Sequence, residues 1–397
     1  MVEHLFAGLR ASPEVELSVT GNAAIGGVIQ LQQDEAGWKD IPVLRSPFQE
    51  AVGRGTQVAR QIVSRTLFNR RPWMRFLRRG IVEILPLAER LEMMLPPELL
   101  KEFDIFHSTY NSIPGTLRNL RRLQKFLTIY DLIPLHEPVM SGPSTATLRR
   151  NLSSLRQDDW ICCISQWVKD DICERLAFAP ERVFVTTLAA SPNTFYRCTQ
   201  AEAVDVVRSR YNIPRDTPYL LSLCAVEPRK NLPHLIRCFG KVLASGEAPD
   251  LRLVLVGGQN ISQRDTLAAH IASAGLDGKI ILTGYVPDED LAAIYSAAMA
   301  FIFPSLAEGF GLPPLEAMQC GTPVICSNAT SLPEVVGEAG ILVHPKDEEA
   351  LCQAMLRLLN SSSLRQELSA AGIQRAGNFS WQKCVQETIA AYRHATS

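Results

Sequence analysis

The sequence predicts an α/β protein with two doubly wound domains, each a parallel sheet covered by helices on both faces. Short apolar runs rich in β-branched residues alternate with segments of 3.6-residue periodicity. This alternation occurs in two series, separated by the polar, proline-containing segment 198–219. A chain of 397 residues is long enough to form a hydrophobic core in each of two domains.

The predicted elements follow the two series in order. The first series contains strands predicted at 126–132, 159–165 and 182–188. The second series contains the predicted strands 219–226, 251–257, 279–286, 300–305, 322–327 and 340–345. We therefore expect an N-terminal domain over 1–200, a C-terminal domain over 201–378 and a last helix over 379–397.

Composition excludes several classes of protein. The net charge is −1, so no overall field attracts nucleic acid, and no nucleic-acid partner is expected. No apolar run approaches the roughly 20 residues of a membrane span, and charges interrupt the N-terminus, which does not resemble a secretory signal. The ten cysteines form no C-x-x-C pair, which favours buried thiols in a reducing cytoplasm over zinc ligands or disulfides.

One segment, FPSLAEGFGLPPLEAMQCGTPVI (303–325), combines acids, glycines and prolines between two predicted strands. Pro313 and Pro314 suit the first turn of a helix, and Gly321 is placed to end it. The preceding backbone amides of 309–312 then face outward with the positive end of the helix dipole, which predicts an anion site. Ligands of open α/β sheets bind at this end of the strands.

Two glutamates in this segment are candidates for binding sugar hydroxyls. We expect Glu308 on an exposed loop and Glu316 in the first helical turn. A carboxylate can accept two hydroxyl hydrogen bonds, so each acid could bind one diol of a nucleotide sugar. The spacing E-x7-E alone is weak support, because acids near a helix start are common for structural reasons.

The segment PSLAEGFGLPPLEAMQCGTPVICSNATSLPEVVGEAGILVHPKD resembles the signature of the family-4 retaining glycosyltransferases, and YLLSLCAVEPRKNLPHLIRCF resembles their phosphate-loop region. The resemblance is close over roughly residues 100–395 and loose before residue 100. It implies the GT-B fold, in which two Rossmann-like domains face a central cleft and the last helix returns to the N-terminal domain. FDIFHSTYNSIP and YDLIPLHEP resemble enzymes of bacterial O-antigen or capsular polysaccharide synthesis, often mannosyltransferases.

The resemblance also implies roles for individual residues. Glu308 contacts the transferred sugar, and Glu316 binds the ribose. Lys230 and Arg229 neutralise the diphosphate. These two side chains supply the positive charge that a metal would otherwise supply. Backbone contacts to phosphate and sugar come from Phe310, Gly311 and Leu312.

On the acceptor side the sequence departs from the family pattern. Tyr130–Asp131 stands where the family commonly has histidine before aspartate, and tyrosine cannot act as a neutral-pH imidazole. His107 and Asp131 are therefore the candidate acceptor-side residues, although a satisfied structural histidine and a loop-capping aspartate are alternatives. Ser165 resembles a serine of the interdomain face and equally suits a helix N-cap.

The reaction implied is metal-independent transfer of one hexose, with retention, from a nucleotide sugar to a glycan hydroxyl. No cofactor is expected besides that donor, for which the resemblance suggests GDP-mannose. We expect a lipid-linked acceptor and a peripheral contact with the inner face of the membrane, because 54–79 holds eight arginines, interleaved aromatic residues and no acid.

Two rival functions and one structural question stay open. A GT-B sugar epimerase or phosphorylase, or a degenerate subunit that binds sugar nucleotides, would share these motifs, whereas a dinucleotide oxidoreductase would need a G-x-G-x-x-G that is absent. The chain opens with helical spacing at Val2, Leu5, Phe6 and Leu9, followed by a predicted strand at 14–21. The usual first strand is thus missing, and we expect either an upstream start or a weak catalyst.

Overall fold

The computed structural model of the protein describes residues 2–16, 100–136, 143–224, 227–257 and 261–397. Its strands are β1 (Ile105–Ser108), β2 (Gln124–Ile129), β3 (Trp160–Cys163), β4 (Val183–Val185), β5 (Tyr219–Cys224), β6 (Arg252–Gly257), β7 (Ile280–Gly284), β8 (Ala300–Phe303), β9 (Val324–Ser327) and β10 (Ile341–Val343). Eight of these strands lie within the predicted runs and β2 overlaps one, because near-continuous apolar runs rich in β-branched residues match a buried parallel sheet.

The helices connect the strands as the periodicity predicts. They are α1 (Val2–Ala11), α2 (Ile133–His136), α3 (Pro143–Ser153), α4 (Gln166–Leu176), α5 (Ala201–Arg210), α6 (Leu232–Ala244), α7 (Ile261–Ser273), α8 (Asp288–Ser296), α9 (Leu312–Gln319), α10 (Leu332–Val336), α11 (Glu348–Asn360), α12 (Ser362–Ala376) and α13 (Trp381–Thr396). The described chain thus alternates strand and helix over most of its length.

The strands form two sheets. Four strands make one sheet in the order β1-β2-β3-β4, and six make the other in the order β10-β9-β8-β5-β6-β7. All five neighbouring pairs of strands in the six-stranded sheet are parallel. Read from β7 to β10, the strand order is the doubly wound pattern 3-2-1-4-5-6. In this pattern the order in which the chain adds strands reverses between the first and the fourth strand. That switch point lies between β5 and β8.

The core of the six-stranded sheet lies under α6 and α11. Leu235, Phe239 and Met355 from these helices are fully buried against Leu253 and Ile302 of the sheet. Helix α6 has buried residues at 232, 235, 236, 239 and 242, the spacing that places them on one face. This packing fixes the start of α6, and with it the turn before it.

By packing, the chain divides into two units. Unit 1 comprises Met1–Thr128, Ala146–Cys162 and Ile389–Ser397, and unit 2 comprises Ile129–Thr145 and Cys163–Thr388. The predicted boundaries at residues 200 and 378 follow the two series of strands and the last helix rather than these units, and they stay a prediction.

The N-terminal helix is confirmed, since α1 runs from Val2 to Ala11 and buries Leu9. Residues 14–16 are not in a strand, and the rest of the strand predicted at 14–21 lies outside the described residues. The basic run 54–79 also lies outside them. None of the helices in the described ranges has the length and apolar character needed to cross a bilayer.

Candidate active site

Two loops of unit 2 meet at the switch point between β5 and β8, where the order of the strands reverses. A turn, Pro228–Lys230, follows β5 and is called the basic turn here, and residues 304–311 follow β8 and are called the acidic loop. The Leu306 N–H donates to the Arg229 carbonyl over 2.7 Å, and the Asn231 amide donates to the Pro304 carbonyl over 3.1 Å. These two hydrogen bonds, one between backbones and one from the Asn231 side chain, hold the two loops side by side, as the doubly wound order requires.

Glu308 forms ion pairs with both cations of the basic turn. Its Oε1 lies 2.7 Å from Lys230 Nζ, and its Oε2 lies 2.6 Å from Arg229 Nη1. The residue is only 7% exposed, so the expectation of an exposed Glu308 is wrong. Arg229 also pairs with the more exposed Glu227 through Nε at 2.7 Å. The structure therefore joins the predicted sugar-binding acid to the predicted diphosphate-binding cations.

The electrostatics of this ion-paired group follow from its burial. Burial lowers the pKa of Lys230, although the negative charge of Glu308 opposes that shift. Burial also acts to lower the pKa of Arg229, but Glu308 and Glu227 outweigh it and the pKa is raised. The ammonium of Lys230 also lies 4.9 Å from the centre of the Phe303 ring, a cation–π distance. Both cations are held in place by neighbouring groups.

Asp131 lies directly against the acidic loop. A Cβ added to Gly309 would come within 2.7 Å of the Tyr130 carbonyl oxygen and 2.9 Å of Asp131 Cβ, so only glycine fits there. Asp131 Oδ1 accepts a hydrogen bond from the Ile133 N–H at 3.1 Å, which is the loop-capping contact. Burial raises the pKa of Asp131, and the charge of Arg229 opposes this. Asp131 and Glu308 thus lie on one side of unit 2.

The carbonyls of the acidic loop accept hydrogen bonds from two serines. Ser331 Oγ is 2.8 Å from the Glu308 and Phe310 carbonyl oxygens, and Ser165 Oγ is 2.8 Å from the Gly309 carbonyl oxygen. Ser165 also accepts from the Val168 N–H, so it is the N-cap of α4 as well as a contact of the loop. The N-cap expectation for Ser165 is confirmed, and its place on an interdomain face stays a prediction.

The amides of 309–312 have no acceptor among the described residues. They precede α9, whose second and third positions are Pro313 and Pro314 and whose following Gly321 has φ +76°, as predicted. Gly311 has φ +118° and is therefore a glycine for conformational reasons. Free amides and a helix start together can bind an anion.

Glu316 lies one turn later than expected. Helix α9 begins at Leu312, so Glu316 is its fifth residue and belongs to the second turn. Its Oε2 accepts a hydrogen bond from the Tyr295 hydroxyl at 3.0 Å. Burial, with a smaller contribution from Asp288, raises the pKa of Glu316 to about 7, against the lowering effect of Tyr295. No cation among the described residues forms an ion pair with it.

Phe310 and Leu312 were predicted to contribute backbone contacts. The Phe310 ring is buried and meets Phe379 edge-on, with the ring centres 5.9 Å apart. Leu312 is the first residue of α9 and is half-buried. The side chain of Phe310 therefore anchors the loop in the core.

His107 occupies the interior of unit 1. Its Nδ1 is 2.6 Å from the Tyr392 hydroxyl and its Nε2 is 2.8 Å from Thr128 Oγ1. Burial lowers the pKa of His107 to about 4, so the ring is neutral at physiological pH. A substrate contact would require one of these two bonds to exchange, and the acceptor-side role of His107 stays a prediction.

Sequence reasoning missed Thr330, Ser331 and Glu334. Thr330 Oγ1 accepts from the Glu308 N–H at 2.9 Å, and the Glu334 carboxylate accepts from the Gln166 and Trp167 N–H groups at the start of α4. The signal available was a Thr-Ser pair before a proline at a helix start, which usually indicates only a cap. Within the described ranges, no three His, Cys, Asp or Glu side chains could together hold a metal ion.

Known proteins resemble this chain in sequence. Residues 204–375 match the family model of the glycosyl transferases group 1. The chain is 38% identical over 240 residues to an O-antigen chain mannosyltransferase B of Escherichia coli, covering 60% of this chain and 62% of the relative. It is 32% identical over 267 residues to the serotype-specific mannosyltransferase WbdA of Escherichia coli, covering 66% of this chain and 32% of the relative. The matches thus span less than two thirds of each relative.

Solved structures agree on the fold. A glycosyltransferase from Rickettsia africae aligns with TM-score 0.68 at 16% identity, covering 99% of this chain and 94% of that one. A sucrose-phosphate synthase from Thermosynechococcus elongatus aligns with TM-score 0.63 at 24% identity, covering 80% and 79%. The fold is the GT-B fold of these enzymes, and the similarity to the glycosyl transferases group 1 lies in residues 204–375.

Proposed function

We propose that this protein transfers a hexose, with retention, from a nucleotide sugar to a hydroxyl of a growing glycan. The observation that carries the proposal is the ion-paired group Glu308–Arg229–Lys230 beside the free amides of 309–312. Cations and helix-start amides together stabilise a departing nucleoside diphosphate, whose negative charge grows in the transition state.

In this proposal, Glu308 occupies the cations until the donor arrives. The diphosphate of the donor competes for Lys230 and Arg229, because its total negative charge exceeds that of one carboxylate and its oxygens can also accept from the loop amides. The carboxylate of Glu308 is thereby released to accept hydrogen bonds from the hydroxyls of the transferred sugar. Binding of the donor would then create the sugar contact that transfer requires.

The remaining residues take roles on either side of this centre. Glu316 accepts hydrogen bonds from the ribose hydroxyls, and Phe310, Gly311 and Leu312 contribute backbone contacts to phosphate and sugar. Asp131 lies beside Gly309 and Glu308 and is proposed to contact the acceptor or the transferred sugar. The departing phosphate accepts the acceptor's proton on the same face. In this proposal no cofactor or metal takes part.

Mannose is the proposed sugar and GDP-mannose the proposed donor, because the sequence relatives in Escherichia coli are named mannosyltransferases. A lipid-linked glycan is the proposed acceptor, and the protein is proposed to work in the cytoplasm at the inner face of the membrane through 54–79. Co-sedimentation with anionic vesicles tests that contact: binding that is absent, or unchanged by high salt, would contradict it.

The function is tested in two steps. First, a thermal-shift screen of nucleoside diphosphates and nucleotide sugars identifies the donor, since a bound ligand raises the melting temperature according to its concentration over Kd. Second, a transfer assay with that donor measures turnover and the anomeric configuration of the product. Binding without turnover would instead favour a sugar-nucleotide-binding subunit, and epimerised donor would favour an epimerase.

Lys230→Ala separates the proposed site from the rest of the domain. We expect turnover and diphosphate affinity to fall by about 10–100-fold, because one charge-assisted contact to phosphate is lost. Lys241→Ala is the matched control, since Lys241 pairs with Glu348 at 2.5 Å on the surface of the same unit. Full activity of Lys230→Ala would place the phosphate elsewhere.

A further inference from the structure

Thr330 has a backbone conformation that its residue type disfavours. Its φ is +52°, in the left-handed region where a β-branched residue is a genuine outlier. Its hydroxyl Oγ1 accepts from the Glu308 N–H at 2.9 Å. An unfavourable conformation persists only where surrounding contacts impose it, and such residues cluster at functional sites.

Ser331 shows a second local departure. It occupies the N-cap position of α10, where serine normally accepts a hydrogen bond from the helix, yet its side chain makes no cap bond. The fully buried hydroxyl instead lies 2.8 Å from both the Glu308 and the Phe310 carbonyl oxygens. Both residues before α10 therefore direct their hydroxyls to the acidic loop rather than to their own helix.

These contacts determine where the loop amides point. In a trans peptide the carbonyl and the next N–H point in opposite directions. Anchoring the carbonyls of Glu308 and Phe310 on Ser331 turns the N–H groups of Gly309 and Gly311 away from it. Ser165 acts in the same way through the Gly309 carbonyl on the N–H of Phe310.

We propose that Thr330 and Ser331 are positioning residues for the transfer reaction: they hold the Glu308 backbone and aim the amides of Gly309 and Gly311 at the donor diphosphate. This inference rests on the proposed function, since it names what orients that same site. The two residues act on the donor through the acidic loop and need not touch it themselves.

Substitutions at Thr330 separate positioning from structural support. Thr330→Ala and Thr330→Gly both remove the hydroxyl, but glycine relieves the left-handed strain. We expect Thr330→Gly to melt at a higher temperature than Thr330→Ala, while both lose roughly tenfold or more in kcat/KM for the donor because the loop is misplaced. Thr330→Ser keeps the hydroxyl and should retain wild-type kcat/KM.

Ala177→Gly is the matched control for strain relief alone. Ala177 ends α4 with φ +49° and is exposed, so glycine there should raise the melting temperature and leave kcat/KM unchanged. Ser331→Ala provides a second measurement, with lower diphosphate affinity expected in calorimetry of the folded variant.

Specific outcomes would overturn the inference. The first is a Thr330→Gly variant as active as an active wild type. The second is a kcat/KM that is higher in Thr330→Gly than in Thr330→Ala, in step with the melting temperature. The third is a Thr330→Ser variant as impaired as Thr330→Ala. Unchanged diphosphate affinity in Ser331→Ala would also count against it. A wild type that neither binds nor transfers any nucleotide sugar would refute the proposed function, and this inference with it.

Discussion

Glu308 and Glu316 are the same residue type, with seven residues between them, yet their surroundings differ. Glu308 is buried between Arg229 and Lys230, whereas Glu316 has a tyrosine hydroxyl as its hydrogen-bond partner and a pKa raised to about 7. A carboxylate between two cations is held by both of them, while Glu316, which has no cation partner among the described residues, can change protonation near pH 7. Spacing therefore predicts where the two acids lie, and neighbouring charges determine what each can do.

The largest expected effect is that of Glu308→Gln. Turnover should fall at least about 10²-fold, because the charged contact to the transferred sugar is lost. The free energy of unfolding should fall by about 1–3 kcal/mol, because two partly buried cations lose a carboxylate. A nucleoside diphosphate should bind this variant more tightly than wild type, since Glu308 no longer competes for Lys230. Calorimetry and chemical denaturation measure these effects.

Glu227→Gln serves as the control for that experiment. Glu227 also pairs with Arg229, at 2.7 Å, but its side chain is 52% exposed. Its removal should change stability and turnover little, because exposed ion pairs contribute up to about 1 kcal/mol. Weaker diphosphate binding in Glu308→Gln than in wild type would contradict the idea that Glu308 occupies the cations before the donor does.

A smaller effect, visible as a pH dependence, is expected at Glu316. Its pKa is about 7 in the folded protein and 4.5 ordinarily, so the folded state binds the proton more tightly. The proton bound to Glu316 therefore stabilises the folded state. This stabilisation is complete below pH 4.5 and is lost as the pH rises through about 7. Glu316→Gln should remove this loss and be more stable than wild type at pH 8, by at most about 3 kcal/mol since the side chain is partly exposed.

Nucleotide binding should show the opposite trend with pH. Only the ionised Glu316 accepts two ribose hydroxyls, so the wild-type affinity should fall as the pH drops through about 7. Glu316→Gln should bind nucleotide more weakly and without this dependence. Titration calorimetry from pH 5.5 to 8.5 provides the measurement. A wild-type affinity that is flat over this range would remove Glu316 from the ribose site.

The sequence predicted the sheets well because strand formation depends on local patterns. Nine of the ten predicted strands were found, since runs such as 253–256 are apolar and rich in β-branched residues, whereas the tenth, at 14–21, lies mostly outside the described residues. The first turn of α9 around Pro313 and its end just before Gly321 were also predictable from single residues. One boundary error, a single turn, moved Glu316 out of the first turn of α9.

The partners of the site residues could not be predicted in the same way. Glu308 and Lys230 are 78 positions apart, and His107 meets Tyr392 across 285 positions. Such contacts depend on how distant segments pack, which no short pattern encodes. Thr330 carries no signal for its left-handed backbone, because threonine rarely adopts it.

The smallest expected effect is that of removing divalent cations. We expect turnover to be unchanged in excess EDTA, because Arg229 and Lys230 supply the positive charge that a metal would otherwise supply at the diphosphate. Both oxygens of Glu308 already contact these cations, so a metal could use that carboxylate only by displacing them. An assay in EDTA, with and without added magnesium or manganese, is the measurement. Activity lost in EDTA and restored by either metal would contradict the prediction, and Glu316, which has no cation partner among the described residues, would become the carboxylate to substitute next.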